Sequence, residues 1–338
     1  MIRRTVLVTG LLALLALVPL EPAAAAAAAA SPVDRLHALF DRGWEQDLND
    51  DPIGATYVGD TRFNDRWPDV SRAHLDRSHA SDLAILAELR TIPRDALGEA
   101  EQLNYDLFER EYTQRLADSE FHLEYFQMSA AGGIQTLSEI AEDMPFETVA
   151  DYEAWLKRID GVAAYMQQYT DLLRAGAREK RTQPRELMQR VLPQLAQQIV
   201  DKPEDSLFYV RFKSFPAAIP AADQARLAAH ARKSIAESVI PAHRRFDAFF
   251  RTEYLPACRA NPGVWDTPNG LAFYQNRVSY HTTTKMTPAE IHEIGLKEVA
   301  RNRLEMQKVL DEVGFKGTLQ EFFTKLRTDP QFYFATPD

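Results

Sequence analysis

The sequence predicts an all-α protein, a multi-helix array, and three observations carry that prediction. Apolar residues recur at steps of three and four along most of the chain, the spacing that places them on one face of a helix. Period-two alternation is rare; the best stretch, SLFYVRF at 206–212, reads equally well as an extended loop. Only 14 glycines occur in 338 residues, and no internal repeat is visible.

Residues 1–30 stand apart from the rest. Arg3 and Arg4 form a positive start, Val6 to Leu20 is an apolar run, and the alanines at 23–30 offer several A-x-A cleavage sites. That is the pattern of a secretory signal peptide, with export to the periplasm or the medium. The run is shorter than the ~20 residues a membrane-spanning helix needs, and Pro19 interrupts it. No membrane association is expected after cleavage.

The helices follow in order. Val33, Leu36, Phe40, Trp44 and Leu48 form a first stripe, and Leu75, Leu83, Leu86, Leu89 and Ile92 a second. Between them, 49–60 and 63–71 collect turn residues and read as a long connection. SAAGG at 129–133 breaks the helical pattern. The cleanest stripe is Trp155, Ile159, Val162, Met166, Tyr169 and Leu173. Leu187, Met188, Val191, Leu192, Leu195 and Ile199 mark one helix with Pro184 near its start. Ile235, Val239, Phe246, Phe249, Phe250 and Leu255 mark another, which Pro241 should kink or divide. RANPGVWDTPNG at 259–270 is a loop. Residues 31–338 show no linker that would force a domain boundary.

The formal charge of −10 and the absence of long basic runs argue against a nucleic-acid partner. A single cysteine, Cys258, leaves no internal disulfide framework, and it reads as a small buried hydrophobe. Asp47, Asn49 and Asp51 imitate the start of a calcium loop, but Pro52 stands at the sixth position and Val58 at the twelfth. The stretch is therefore a helix end and a turn. No G-x-S-x-G, Walker or G-x-G-x-x-G pattern occurs. His74 and His79 are five apart, on poorly matched helix faces, so spacing assembles no metal cluster.

MTPAEIHEIGLKEVARNRLEM, 286–306, carries His292-Glu293 on a helix, but Leu296 stands where an H-E-x-x-H site needs its second histidine. Thr287 and Glu290 form a capping box around Pro288, and Gly314 can end the helix. His292, Leu296, Val299, Arg303, Met306, Leu310 and Val313 share one row, which is expected to face the core with His292 partly buried. Glu298, Arg301 and Glu305 are spaced as an ion-pair ladder. A second capping box, Thr318 with Glu321, opens a short helix near the C-terminus, and Thr336-Pro337 repeats the threonine-proline start signal.

These segments resemble the bacterial domain of unknown function 885 family. The segment 286–306 is similar to that family's L-T-P-E-E-I-H…E-V-A-R run. GDTRFNDRWPDVS at 59–71, FPAAIPAADQARL at 215–227, the stretch from Tyr254 through Asn269-Gly270 to the threonines 282–284, and LRTDPQFYFATPD at 326–338 follow in the family's order. The resemblance implies an exported, mostly helical relative of zinc metallopeptidases, with zinc held by H-E-x-x-x-x-H-H or H-E-x-x-H residues that do not occur in this chain. It implies that 31–338 is the N-terminal portion of a longer, metallopeptidase-like helical fold, with no zinc or other cofactor of its own and no catalytic residues. Its missing C-terminal half would then be its partner.

Two readings follow. In the first, the chain supplies walls of a peptidase's substrate cleft and is inactive alone. Peptide contacts are then expected at Asn269, Tyr274, Thr282 and Thr283, which offer hydrogen bonds and an aromatic ring. In the second, the chain is a non-catalytic helical binding or scaffold module.

Overall fold

The structure is a computed structural model that describes residues 30–336; the signal-peptide stretch lies outside the described residues. Helices dominate, and among the described residues the only β pairings are two isolated bridges, Ser129 with Gly132 and Pro184 with Arg259. No described helix is long and apolar enough to cross a membrane.

Three helices make a first layer. Helix α1 (Pro32–Asp50) starts on a capping box in which Ser31 accepts the Asp34 amide and Asp34 accepts the Ser31 amide. It packs with α3 (Arg72–Leu89) and α4 (Glu99–Ser119) around Leu36, Leu39, Leu86, Leu89, Tyr105 and Tyr112. The short α2 (Pro52–Tyr57) fills part of the connection read as loop. The α1 stripe is rotated from the one expected: Leu36, Leu39, Gly43 and Leu48 are buried, while Val33 and Trp44 are exposed. Gly43 is needed at that interface, because a Cβ there would lie 2.7 Å from the Tyr112 hydroxyl.

The larger core is organised on α5 (Val149–Arg178). Trp155, Ile159, Val162, Met166, Tyr169 and Leu173 are all buried on it, as their spacing predicts. The stretch expected to be one helix after Pro184 is two, α6 (Arg185–Gln189) and α7 (Leu192–Gln197). Pro193 lies in the first turn of the second, where a missing N–H costs nothing. SLFYVRF is neither strand nor extended. Leu207–Phe212 is a 3₁₀ helix that buries Phe208, Tyr209 and Phe212, and the Trp155 indole donates to the Phe208 carbonyl at 3.2 Å.

Pro241 does not divide its helix. Helical backbone runs through α8 (Ala221–Ser234), α9 (Ile240–Phe249) and α10 (Leu255–Ala257), joined by π turns at Ile235–Val239 and Phe250–Tyr254. Each π turn ends two residues before a proline, Pro241 or Pro256. Widening the turn makes room for the proline ring against the preceding carbonyls, so the chain continues.

The C-terminal helices are α11 (Gly270–Thr282), α12 (Pro288–Glu312) and α13 (Leu319–Thr328). Both threonine capping boxes form as read, and Gly314 ends α12 at φ +69°. The expectation that the His292 row faces the core is corrected. Only Leu310 is buried; Leu296 is 52% and Val299 53% exposed, and His292, Met306 and Val313 are exposed too. The reason is packing: α12 rests on α13 near its C-terminal end, and the described chain lays nothing over the rest. Arg301 does bridge Glu298 and Glu305, at 2.7 and 2.8 Å.

Candidate functional site: a polar cleft between α1, α3 and α4

The cleft begins where α1 ends. Asp51 serves as C-cap of α1 and precedes Pro52 at the start of α2, so the D-x-N-x-D stretch is a helix end, as read. Ser71 caps α3 and sets its first two turns beside that corner. The result is an open cleft of about 480 Å³, with Trp44 and Val58 as apolar walls and Asp47, Asp50, Asp51, Asp69 and His74 as polar ones. A second hollow of about 260 Å³ adjoins it between α3 and α4, and the two share Leu75, Ser78 and Arg115.

Arg115 is the hinge of this arrangement. Its guanidinium makes a bidentate pair with Asp47 at 2.6 and 2.8 Å, a geometry that adds direction to charge attraction. It donates to Glu111 at 2.9 Å and lies 4.8 Å over the Tyr112 ring. These bonds raise the Arg115 pKa, so the group stays charged. Burial pushes the Tyr112 phenol up to about 12. Deeper in the second hollow lies Asp82, 9% exposed, with no hydrogen bond or ion pair among the described residues. Burial pushes its carboxyl up to about 6, against the opposing pull of Arg115. At the other wall the His122 imidazole Nδ1 is 2.9 Å from Glu124 and stacks on Tyr125, with the His122 backbone left-handed at φ +55°.

The residues expected to contact peptide lie elsewhere, on α11. Asn269 is its left-handed N-cap residue, exposed, with no hydrogen bond to the helix from its side chain. Tyr274 is 47% exposed. Thr282 is turned back on its own helix, donating to the Val278 carbonyl at 2.8 Å, and Thr283 is the left-handed C-cap residue. Asn269 and the two threonines stand at opposite ends of α11, about 20 Å apart at 1.5 Å per residue. None of the four lines the α1–α3–α4 cleft. Helix α11 is tied to α4 by Arg277 to Asp118, by Gln114 to Asn276 at 3.0 Å and by Arg110 to the Tyr280 carbonyl at 3.0 Å.

Spacing arguments passed over Asp82 and Arg115, and met Asp47 only as the start of a rejected calcium loop. Asp82 carried a legible signal, because Leu75, Ser78, Asp82, Ile85 and Leu89 step by three and four and place a carboxylate in an apolar stripe. Asp47 and Arg115 are 68 residues apart and had none.

The described residues do not fit a zinc ion. No group of three or more His, Cys, Asp or Glu side chains among them is placed to hold a metal, and His292 stands exposed on α12 beside Leu296. Cys258 is buried beside the main core, and burial pushes its thiol up to about 12, so it is a packing residue as expected.

The comparisons with known proteins agree with the helical architecture. The structure superposes on the solved one described as "the putative lipoprotein from Colwellia psychrerythraea" with a TM-score of 0.80 at 18% identity, covering 91% of this chain and 56% of that one. At that identity the likeness is one of fold, and this chain spans a little over half the length of the other. No curated protein matches it. A family model matches residues 52–338, most of the chain, and with the ordered motifs above it places the protein in the family described as "Bacterial protein of unknown function (DUF885)".

Proposed function

We propose that this chain is the N-terminal helical portion of an exported zinc-dependent peptidase, contributing walls of its substrate cleft and no metal ligands. The observation that carries this reading is α12. A 25-residue helix with Leu296, Val299 and Met306 open to water, and Val313 just past its end, is a face that further protein covers, since solvent-exposed apolar rows of this length mark interfaces. The span of 56% of the solved chain supports the same reading, because nearly half of that longer fold has no counterpart here. The lack of any three-ligand cluster among the described residues is consistent with a metal centre carried by the remainder. On this reading the peptide contacts of α11 fall on Asn269, Tyr274 and Thr283, and Thr282, engaged with the Val278 carbonyl, joins them only by leaving that bond.

The test is direct. Residues 31–338 are purified alone, and metal content and hydrolysis of a mixed peptide pool are measured. The expected result is no stoichiometric zinc and no turnover, with soluble yield rising on co-expression with a C-terminal segment that bears an H-E-x-x-x-x-H-H helix. Stoichiometric zinc or peptide turnover by 31–338 overturns the reading. A monodisperse product indifferent to that segment would favour a non-catalytic helical binding module instead.

A further inference from the structure

We propose that the hollow between α3 and α4 binds a primary ammonium group, with the Asp82 carboxylate as its anchor. This goes beyond the peptidase reading and does not depend on it.

Four observations converge. Asp82 is 9% exposed, lines the hollow and has no hydrogen bond or ion pair among the described residues, and its carboxylate oxygens are not sealed in protein but open to that space. The cations already present are engaged elsewhere: Arg115 with Asp47 and Glu111, and Arg72 with Asp76 at 2.9 Å and Glu124 at 3.7 Å. Seven carboxylates and two guanidinium groups line the joined clefts, so the field at Asp82 favours a positive guest. The hollow's volume of about 260 Å³ suits a small or terminal group rather than a bulky ring system.

The donor set selects the kind of cation. A divalent metal needs several anionic or imidazole ligands converging, and no such group is assembled among the described residues. An alkylammonium carries three N–H donors and no acceptor. Asp82 can take one. The Ser78 hydroxyl, and the Ser119 hydroxyl that already donates to the Leu116 carbonyl, can take the others. His79 faces the same space from α3, as do His122 and Glu124 from the segment after α4. Asp47 and Asp50 act on Asp82 from α1, and Arg115 from α4. An entering ammonium replaces the proton that burial leaves on Asp82 near pH 6, so binding there releases a proton.

Isothermal titration of the full chain with 1,4-diaminobutane, trialanine and N-acetyl-trialanine tests this. Wild type is expected to bind at least one free-amine probe at pH 7.5, with Asp82→Asn weakening it by roughly tenfold or more. The smaller change Ser78→Ala should weaken it by a fewfold. With the diamine, which stays protonated throughout, the heat at pH 6 should depend on the buffer's ionisation enthalpy, and at pH 8 it should not. Binding of trialanine but not its acetylated form identifies a peptide N-terminus as the source; binding of the diamine alone identifies a free amine. A melting curve shows that Asp82→Asn is folded. Equal binding by wild type and folded Asp82→Asn overturns the proposal. So does the absence of binding by any probe at millimolar concentration.

Discussion

Trp67 and Arg158 hold each other across the boundary between the connection and the main core. The Trp67 indole donates to the Arg158 carbonyl at 2.7 Å, and the Arg158 guanidinium lies 5.4 Å from the centre of the Trp67 ring. Arg158 is fully buried and faces no carboxylate at contact distance. It donates to the Pro52, Phe63 and Arg66 carbonyls and to the Thr56 hydroxyl, at 2.9 to 3.3 Å. Burial pushes its pKa down to about 10, so it is still charged at neutral pH. A charge solvated by backbone carbonyls is how α5 fixes the segment between α1 and α3 that shapes the cleft.

Arg158→Met should therefore destabilise the fold by about 3 kcal/mol, because three carbonyls lose a buried donor. Trp67→Phe should cost about 1 kcal/mol, for one lost hydrogen bond. Urea denaturation of the two single variants and the double variant checks this. The double variant should be slightly less destabilised than the sum, since both changes weaken the packing of the guanidinium on the ring at 67, whereas the indole bond to the 158 backbone carbonyl is lost only with Trp67. Full additivity would show that the two residues act separately.

Asp82 makes stability fall as pH rises. Its folded pKa, about 6, lies above the ordinary carboxylate value near 4, so between those values the folded chain keeps a proton that the unfolded chain releases. Folding stability is lost through that window, in total by about 3 kcal/mol. Asp82→Asn should thus be more stable than wild type at pH 8 and indistinguishable near pH 4. Melting temperatures across that range measure it, and a constant difference between the two proteins would contradict it.

Cys258 should be inert in the folded state. Its side chain is 2% exposed, and burial holds the thiol up at about 12. A disulfide reagent at pH 8 is expected to react only after denaturant is added. Cys258→Ala should be mild, while Cys258→Ser should cost about 1–3 kcal/mol through an unpaired buried hydroxyl. Rapid native labelling would place the thiol at the surface.

The exposed row of α12 should contribute little to the stability of this chain. Leu296→Glu with Val299→Glu is expected to change it by less than about 0.5 kcal/mol, since neither side chain is buried here. The same pair should abolish binding of an apolar dye and, on the assembly proposed above, prevent association with the C-terminal segment. Sedimentation velocity and dye fluorescence report both. A large fall in melting temperature would mean that the face is already covered within the chain.

The sequence by itself determined the helices and most of their ends. Period and capping are local: Thr287 with Glu290, Thr318 with Glu321, and the Trp155 to Leu173 stripe each lie within one helix, and all three appear as read. The ordered motifs likewise located the family. Tertiary structure decided which apolar faces are covered and which polar groups meet. An apolar row says only that a helix could be covered, and α12 has the row without the cover. The prolines at 241 and 256 were absorbed by π turns because the aromatic residues on that helix are held in the main core, a gain that local propensity does not contain. The cleft is the extreme case. Asp47 and Arg115 come from different helices, and Asp82 is set apart from other carboxylates by burial that only the packing of α1, α3 and α4 creates. Desolvation and charge pairing act through space, so no pattern along the chain could have stated them.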